Sequence, residues 1–298
     1  MCGVIIHRAL RAGSIVLLFT AATSAFAFQN PFQQDRVING IVVLDDLSMS
    51  GRSYVDSYDS SAPEGYKASK GKDAVVVTNG QMDLSGGSGV YGSAVSTRSG
   101  INLSGGSLVT GIVSYSTTYT ASGHSTADAR RQTLAQVNAR SPEKCSGYPP
   151  APTAADPWIT GKFVYDASRG DLLVTGGNAV TLRGGTYCLN NIGLSGGSIL
   201  TVTGMVVIRM NGSLDLSGGS VINKNGRPSS VQVSSAASGG GVSLTGQSRA
   251  FMTVFAPRWH VGLSGGSGLF GSLVGRSIAA SGGSALHHDM SLGSYPIP

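Results

Sequence analysis

The sequence predicts an all-β fold: a single-stranded parallel β-helix, in which one chain winds as a stack of short coils. Three observations predict it. The pentapeptide Leu-Ser-Gly-Gly-Ser stands at residues 84–88, 103–107, 194–198, 216–220 and 263–267, with an Ala-led copy at 280–284. An apolar-x-apolar triplet precedes each copy, as in Met82-Asp-Leu84, Ile101-Asn-Leu103, Ile192-Gly-Leu194 and Leu214-Asp-Leu216. Such period-two alternation marks a strand with one buried face. The copies recur 19 residues apart from Ser85 to Ser104, 22 from Ser195 to Ser217 and 17 from Ser264 to Ser281. That interval is too long for a hairpin and suits one coil of a stack spaced at about 4.8 Å.

Each copy is read as a corner. The pairs Gly86-Gly87, Gly105-Gly106, Gly196-Gly197, Gly218-Gly219, Gly265-Gly266 and Gly282-Gly283 supply the positive φ of a sharp turn. Looser copies are Ser50-Gly-Arg-Ser53, Leu182-Arg-Gly-Gly-Thr186 and Leu244-Thr-Gly-Gln-Ser248. A second apolar strand follows, often broken by Gly, as in Leu269-Phe-Gly-Ser-Leu-Val274. Equivalent leucines are expected to stack inside the coil and equivalent serines to form hydrogen-bonded ladders along it. A Gly/Ser linker has the same composition without the flanking alternation, and the Leu-x-x-Leu-x-Leu frame of a leucine-rich repeat is absent.

The chain begins with a secretory signal: Arg8 and Arg11, an apolar stretch at 14–25, and a small-x-small site at Ala25-Phe-Ala27. Residues 1–27 are the expected signal peptide and 28–298 the β-helix domain. The apolar stretch is short of the ~20 residues that span a bilayer, and no second one follows. The mature chain is therefore expected to have no transmembrane segment and to reside in the periplasm, on the cell surface or outside the cell. Without Arg8 and Arg11 the net charge falls from +6 to +4. The basic residues are scattered, apart from Arg130-Arg131, which argues against a nucleic-acid partner.

Residues 41–44 and 54–58 read as strands, 59–72 as an exposed loop and 74–78 as a strand. The repeats are interrupted at about 117–157. There, 126–140 has helix formers and an apolar stripe through Ala127, Leu134 and Val137, with Ser125 or Thr126 as cap, which predicts a short helical insertion. Tyr148-Pro-Pro-Ala-Pro152 must be extended, and 158–166 re-enters strand pattern. A second interruption, 223–238, reads as a polar loop. Cys2 leaves with the signal. Cys145 and Cys188 remain as an even pair in an exported chain, which predicts a disulfide tying the insertion to the second half.

The frame resembles an uncharacterised repetitive domain of exported bacterial proteins, found in pilus-assembly-like and other cell-surface proteins. The residues that carry the likeness are 50–60, the Leu-Ser-Gly-Gly-Ser copies, Gly185-Thr-Tyr-Cys-Leu189 and the ordered C-terminal set 255–267, 271–278 and 281–289. The likeness covers most of the mature chain, best from about Gly161 onward. It implies export, a right-handed β-helix and a surface or structural role. No catalytic residue is transferred by it. Cys188 and the helical insertion depart from its pattern.

Candidate chemistry is sparse, and neither catalytic residues nor a cofactor are assigned. His287 and Asp289 share one side of a strand and are the candidate metal ligands, with a third from another coil. Asp45, Asp46, Asp56 and Asp59 lack the spacing of a calcium loop. No serine lies in Gly-x-Ser-x-Gly with a nearby acid-and-His set. Asp83 and Asp215 occupy the same place in the repeat and are the only hint of a polysaccharide-degrading enzyme. The expected function is a secreted or surface-displayed, non-enzymatic structural or adhesive protein. Its expected partners are cell-surface or pilus proteins, polysaccharide, or another copy joined end to end; the alternative is a carbohydrate-binding or polysaccharide-degrading β-helix.

Overall fold

A computed structural model describes residues 40–132 and 135–293. The signal peptide, the leader to residue 39 and the tail from 294 lie outside the described residues. The rest is all-β: one 24-stranded sheet, with a single helical turn at Tyr66–Ser69 and two 3-10 turns. Pairing is parallel from coil to coil. Leu194 lies beside Leu216, Leu216 beside Leu244 and Leu244 beside Leu263. The triplets behave as their alternation requires: Met82, Leu84, Ile101 and Leu103 are buried, while Asp83 and Asn102 face outward and hydrogen-bond to each other (2.8 Å).

Each coil offers three strand positions. The apolar triplet is the second, and the Gly corner leads from it to the third. Ten coils are traced by their corners, at Gly51, Gly86, Gly105, Gly123, Gly176, Gly196, Gly218, Gly246, Gly265 and Gly282, all with φ between +59° and +67°. Two of these, Ser122-Gly-His-Ser125 and Thr175-Gly-Gly-Asn178, escape the pentapeptide pattern. Conversely, Leu182-Arg-Gly-Gly-Thr186 is no such corner, because it runs within the strand Ala179–Leu189.

The two corner positions differ in kind. A Cβ on Gly265 would stand 3.2 Å from the backbone nitrogen of Gly246 in the coil beneath. The first position therefore needs Gly for both φ and close stacking. The second faces open space or loose contacts, and there Arg52, His124 and Gln247 take φ of +64° to +65°. The closing serine turns inward and donates to the carbonyl three residues back, as Ser88 does to Ser85 (2.6 Å) and Ser220 to Ser217 (2.7 Å). In place of the expected serine ladder, most corners hold this internal bond, while Ser267 donates to the Leu244 carbonyl of the neighbouring coil (2.8 Å). Bonds between coils, such as Ser107 N–H to Ser125 Oγ (2.9 Å), are fewer.

Coil order does not follow chain order. The chain enters at Ile41–Val43, which pairs on one side with Ala74–Thr78 and on the other with Gly268–Ala280. Leu47–Met49 and Tyr54–Tyr58 likewise meet the C-terminal strands. Numbered along the stack, coils 1–6 are formed by residues 171–289 and coils 7–10 by residues 40–131. The C-terminal coil 6 carries the N-terminal coil 7, with no chain passing directly between them. One end is closed by Ile159–Gly161 and Val164–Asp166, which pair antiparallel with coil 1. At the other end Tyr119–Ala121 and Thr126–Arg131 complete coil 10.

This topology corrects the predicted helical insertion. Thr126–Arg131 is a strand because Leu108–Tyr115 offers it a ladder, and its alternate residues Ala127 and Ala129 pack on the core. Tertiary pairing overrides helix propensity here. Ser125 closes a corner and caps no helix. The second interruption also holds a strand, Val231–Ser234, which belongs to coil 4.

From 135 to 157 the chain returns along the stack as an extended strap. It follows one outward column on the first strand position: Val95, Val77, Val42, Val274, Phe255, Ser234, Arg209, Cys188. Val137 and Ala139 cover the apolar part of that column. The Asn79 amide brackets the Val137 backbone, donating to its carbonyl (2.7 Å) and accepting from its N–H (2.9 Å). Glu143 pairs with Arg209, and Cys145 is bonded to Cys188. A disulfide closing a 43-residue separation contributes about 4 kcal/mol in the chain-entropy model. Beyond it, the carbonyls of Pro149 and Pro150 accept from Tyr165 and Trp158 (2.7 and 2.9 Å).

Candidate functional site

On the third strand position the outward column changes character at mid-stack. Thr181 and Thr201 stand there in coils 1 and 2. Higher up, the column reads Phe251, Phe270, His287, Asp56. Coil spacing near 4.8 Å suits flat rings laid face to face. Phe251 stacks on Phe270 (centroids 4.4 Å apart, 20° between planes), and Phe270 stacks on His287 (4.1 Å, 23°). Two irregular segments rise beside this row: the loop 59–72 with its helical turn, and the loop 223–230 with the 3-10 turn Pro228–Ser230. Between them lies a cleft of about 1060 Å3, whose lining includes Tyr58, Tyr66, Arg227, Arg249, Phe270 and His287.

Asp56 anchors the cleft. Its carboxylate is fully buried and satisfied from three sides. His287 Nδ1 lies 2.6 Å from Oδ1; the Tyr66 hydroxyl donates to Oδ2 at 2.7 Å; Lys70 Nζ stands 3.5 Å from Oδ2. Lys70 also sits over the Tyr54 ring, 5.0 Å from its centroid. Burial lowers the His287 pKa below its ordinary value; the Asp56 hydrogen bond opposes the shift, and nearby Lys70 and Arg249 reinforce it. The neutral ring therefore donates Nδ1–H to Asp56 and keeps its lone pair on Nε2. Burial, together with Asp56, raises the pKa of Tyr66 well above the usual range, so its hydroxyl remains a donor.

His287 and Asp289 are not joined in one ligand set. His287 bonds Asp56, whereas Asp289 Oδ1 accepts from the backbone N–H of Ser60 (2.9 Å) and from Ser291. Asp289 thereby fastens the start of the 59–72 loop to the C-terminal turn Met290–Leu292. Among the described residues no group of three His, Cys, Asp or Glu is placed to hold a metal ion. The four early aspartates also disperse: Asp45 pairs with Arg276 (2.8 Å), Asp46 accepts from Gln81 N–H (2.7 Å), and Asp59 accepts from Ser61. Asp83 and Asp215 do share one column, through Ser243, Gly262, Ala279 and Ser48. Five junctions separate them, roughly 24 Å, whereas paired glycosidase carboxylates stand about 5–9.5 Å apart.

Sequence reasoning missed Tyr66, Phe270 and the partnership of Asp56 with His287. Phe251, Phe270 and His287 follow one another at 19 and 17 residues, the repeat interval itself, so their column was legible. Asp56 is 231 residues from His287, and no repeat interval links them.

Fold and site together define a class: a parallel coil stack bearing a walled cleft at mid-height. Residues 156–295 match the family model described as a domain of unknown function, DUF7305. That span holds coils 1–6 and includes His287, while Asp56 and the 59–72 loop lie outside it. No curated protein matches. Among solved structures, the chain is similar to the ice binding protein from an Antarctic bacterium of the Flavobacteriaceae, at 14% identity over 86% of this chain and 82% of that one, with a TM-score of 0.25. A likeness so distant decides nothing about ligand or mechanism.

Proposed function

We propose that this chain is an exported, non-enzymatic display module. It is a right-handed β-helix that holds one cleft at a fixed height on a cell surface, as a structural or adhesive element beside pilus proteins, other surface proteins or polysaccharide. The observation that carries this is the rigid stack itself: ten hydrogen-bonded coils, clamped lengthwise by a strap and a disulfide, with loops of irregular shape gathered at one place. Right-handedness follows the rule for parallel crossovers, about 98% of which have that hand. Export accords with the Cys145–Cys188 bond, since such bonds persist in oxidising compartments. No helix among the described residues is long and apolar enough to cross a membrane.

The two ends are unlike. Antiparallel strands close the coil 1 end, while Thr126–Arg131 is the last strand of the other end among the described residues. Head-to-tail growth needs two matching open edges, so the module is expected to be a monomer or a pair joined at coil 10. Sizing chromatography with light scattering on the exported protein tests this. Polymers that lengthen with concentration would overturn it.

A further inference from the structure

The cleft has a charge pattern that the scaffold does not require. Arg227 and Arg249 both line it, both side chains are exposed, and neither makes an ion pair among the described residues. Lys67 adds a third cation against the single carboxylate of Glu64. Several exposed arginines elsewhere are paired with carboxylates, Arg183 with Asp156 (2.7 Å), Arg169 with Asp171 (3.2 Å) and Arg276 with Asp45 (2.8 Å), whereas Arg98 and Arg258 bond neutral oxygens instead. Two free guanidinium forks in one concavity match a carboxylate better than a diffuse charge does.

The floor adds to this. Phe251, Phe270 and His287 are stacked on one another, so each turns its edge to the cleft, and the C–H edges of the two phenylalanines are the positive part of their quadrupoles. His287 Nε2 lies 3.5 Å from where a Cβ on the cleft residue Gly268 would stand. With Nδ1–H committed to Asp56, Nε2 is an acceptor for a ligand hydroxyl. Ser60 and Ser61 of the 59–72 loop also line the wall, where their hydroxyls, bonded to Ser291 and Asp59, keep free lone pairs as acceptors. The volume is at the upper end of small-ligand sites, which run to about 1,000 Å3.

We propose that this cleft binds a carboxylated saccharide segment, its carboxylate held by Arg227 and Arg249 and a hydroxyl donated to His287 Nε2. The proposal rests on the adhesive reading and names its ligand class. The two can fail separately, because sizing tests the scaffold and calorimetry tests the cleft.

The experiment is isothermal titration of the full mature chain with tetragalacturonate, with maltotetraose as the neutral counterpart and with inorganic phosphate. Saturable binding of tetragalacturonate is expected, with maltotetraose at least tenfold weaker. The double variant Arg227→Gln, Arg249→Gln should weaken it at least tenfold. Lys162→Gln, a charge change at the closed end, should alter it less than twofold. Absence of tetragalacturonate binding at millimolar concentration would overturn the proposal. So would equal loss with Lys162→Gln, equal affinity for maltotetraose, or phosphate binding as tightly with the same dependence on the two arginines, which would make this a simple anion site.

Discussion

Two kinds of junction hold this stack together, and they are built differently. At an ordinary junction, such as that of coils 2 and 3, the chain leaves one coil and enters the next, so the tether sets the register. At the seam between coils 6 and 7, strands more than 200 residues apart must find each other. The corner ladder does not distinguish the two: Gly266 N–H donates to Gly282 carbonyl at 2.9 Å within the tethered part, and Gly283 N–H to Gly51 carbonyl at 2.8 Å across the seam. The difference is on the third strand position. There the seam buries Asp56, His287, His288 and Asp289, with His287 and His288 in register with Phe270 and Gly271 of coil 5. A ladder of leucines tolerates slippage, whereas a buried carboxylate with one matching partner does not. Polar groups at the seam replace the missing tether as the device that fixes register.

Removing the anchor should have the largest effect. Asp56→Ala takes one partner from a buried, hydrogen-bonded set, a loss of about 3–5 kcal/mol in comparable sites. Asp83→Ala removes a carboxylate from an exposed column and should stay within about 0.5 kcal/mol. Urea unfolding of both variants checks this. A loss below about 1 kcal/mol for Asp56→Ala would mean that the seam is held by its apolar ladder alone.

The corners should ignore the distinction. Gly51 at the seam and Gly218 at a tethered junction have the same φ within a few degrees, +61° and +63°. A Cβ on either would stand 3.1 Å from the next corner's backbone nitrogen. Gly51→Ala and Gly218→Ala should therefore cost alike, about 1–2 kcal/mol for the left-handed conformation before any steric adjustment. Arg52→Gly, one residue along, should stabilise by about 1 kcal/mol, since Arg52 already sits at φ +64° without needing its side chain for stacking. Thermal melts of the three variants would show it, and unequal costs at Gly51 and Gly218 would mean that the corner too takes part in seam recognition.

The same contrast explains what the sequence made legible. Repetition is a local signal. It exposed the triplets, most of the corners and the coil interval, because each coil must solve the same packing problem with Leu, Gly and Ser. The disulfide was legible from the even pair of cysteines. The corners at Gly123 and Gly176 were obscured where His124 and Asn178 replace the usual residues, although the first Gly, the one under steric demand, is present in both. The strap looked helical because propensity is local, while the Asn79 amide and the strand at Leu108–Tyr115 that keep it extended are distant in sequence. The seam left no periodic trace at all. His287 and Asp289 stood out as polar residues in an apolar context, but the partner that explains His287 lies in a coil whose place in the stack is decided by tertiary structure.

The weakest expected effect is also the most selective for the seam. Burial holds the His287 pKa below its unfolded value, with Lys70 and Arg249 acting in the same direction. Below about pH 6.5, where an unfolded histidine takes up a proton, the unfolded chain binds more protons at this site than the folded one. Stability rises with pH wherever the unfolded state binds more protons. The contribution of neutral His287 is therefore complete above pH 6.5 and declines as the pH falls toward the folded-state value. No histidine lies at the junction of coils 2 and 3. On acidification from pH 7 to pH 5.5, amide exchange, corrected for its intrinsic pH dependence, should quicken in Ala285–Asp289 and Tyr54–Tyr58 before it does in Ile192–Leu194 and Leu214–Leu216. In His287→Gln the seam strands should exchange faster at pH 7 but with less dependence on pH. Equal acid responses at both junctions would remove His287 from the set of groups that hold the seam.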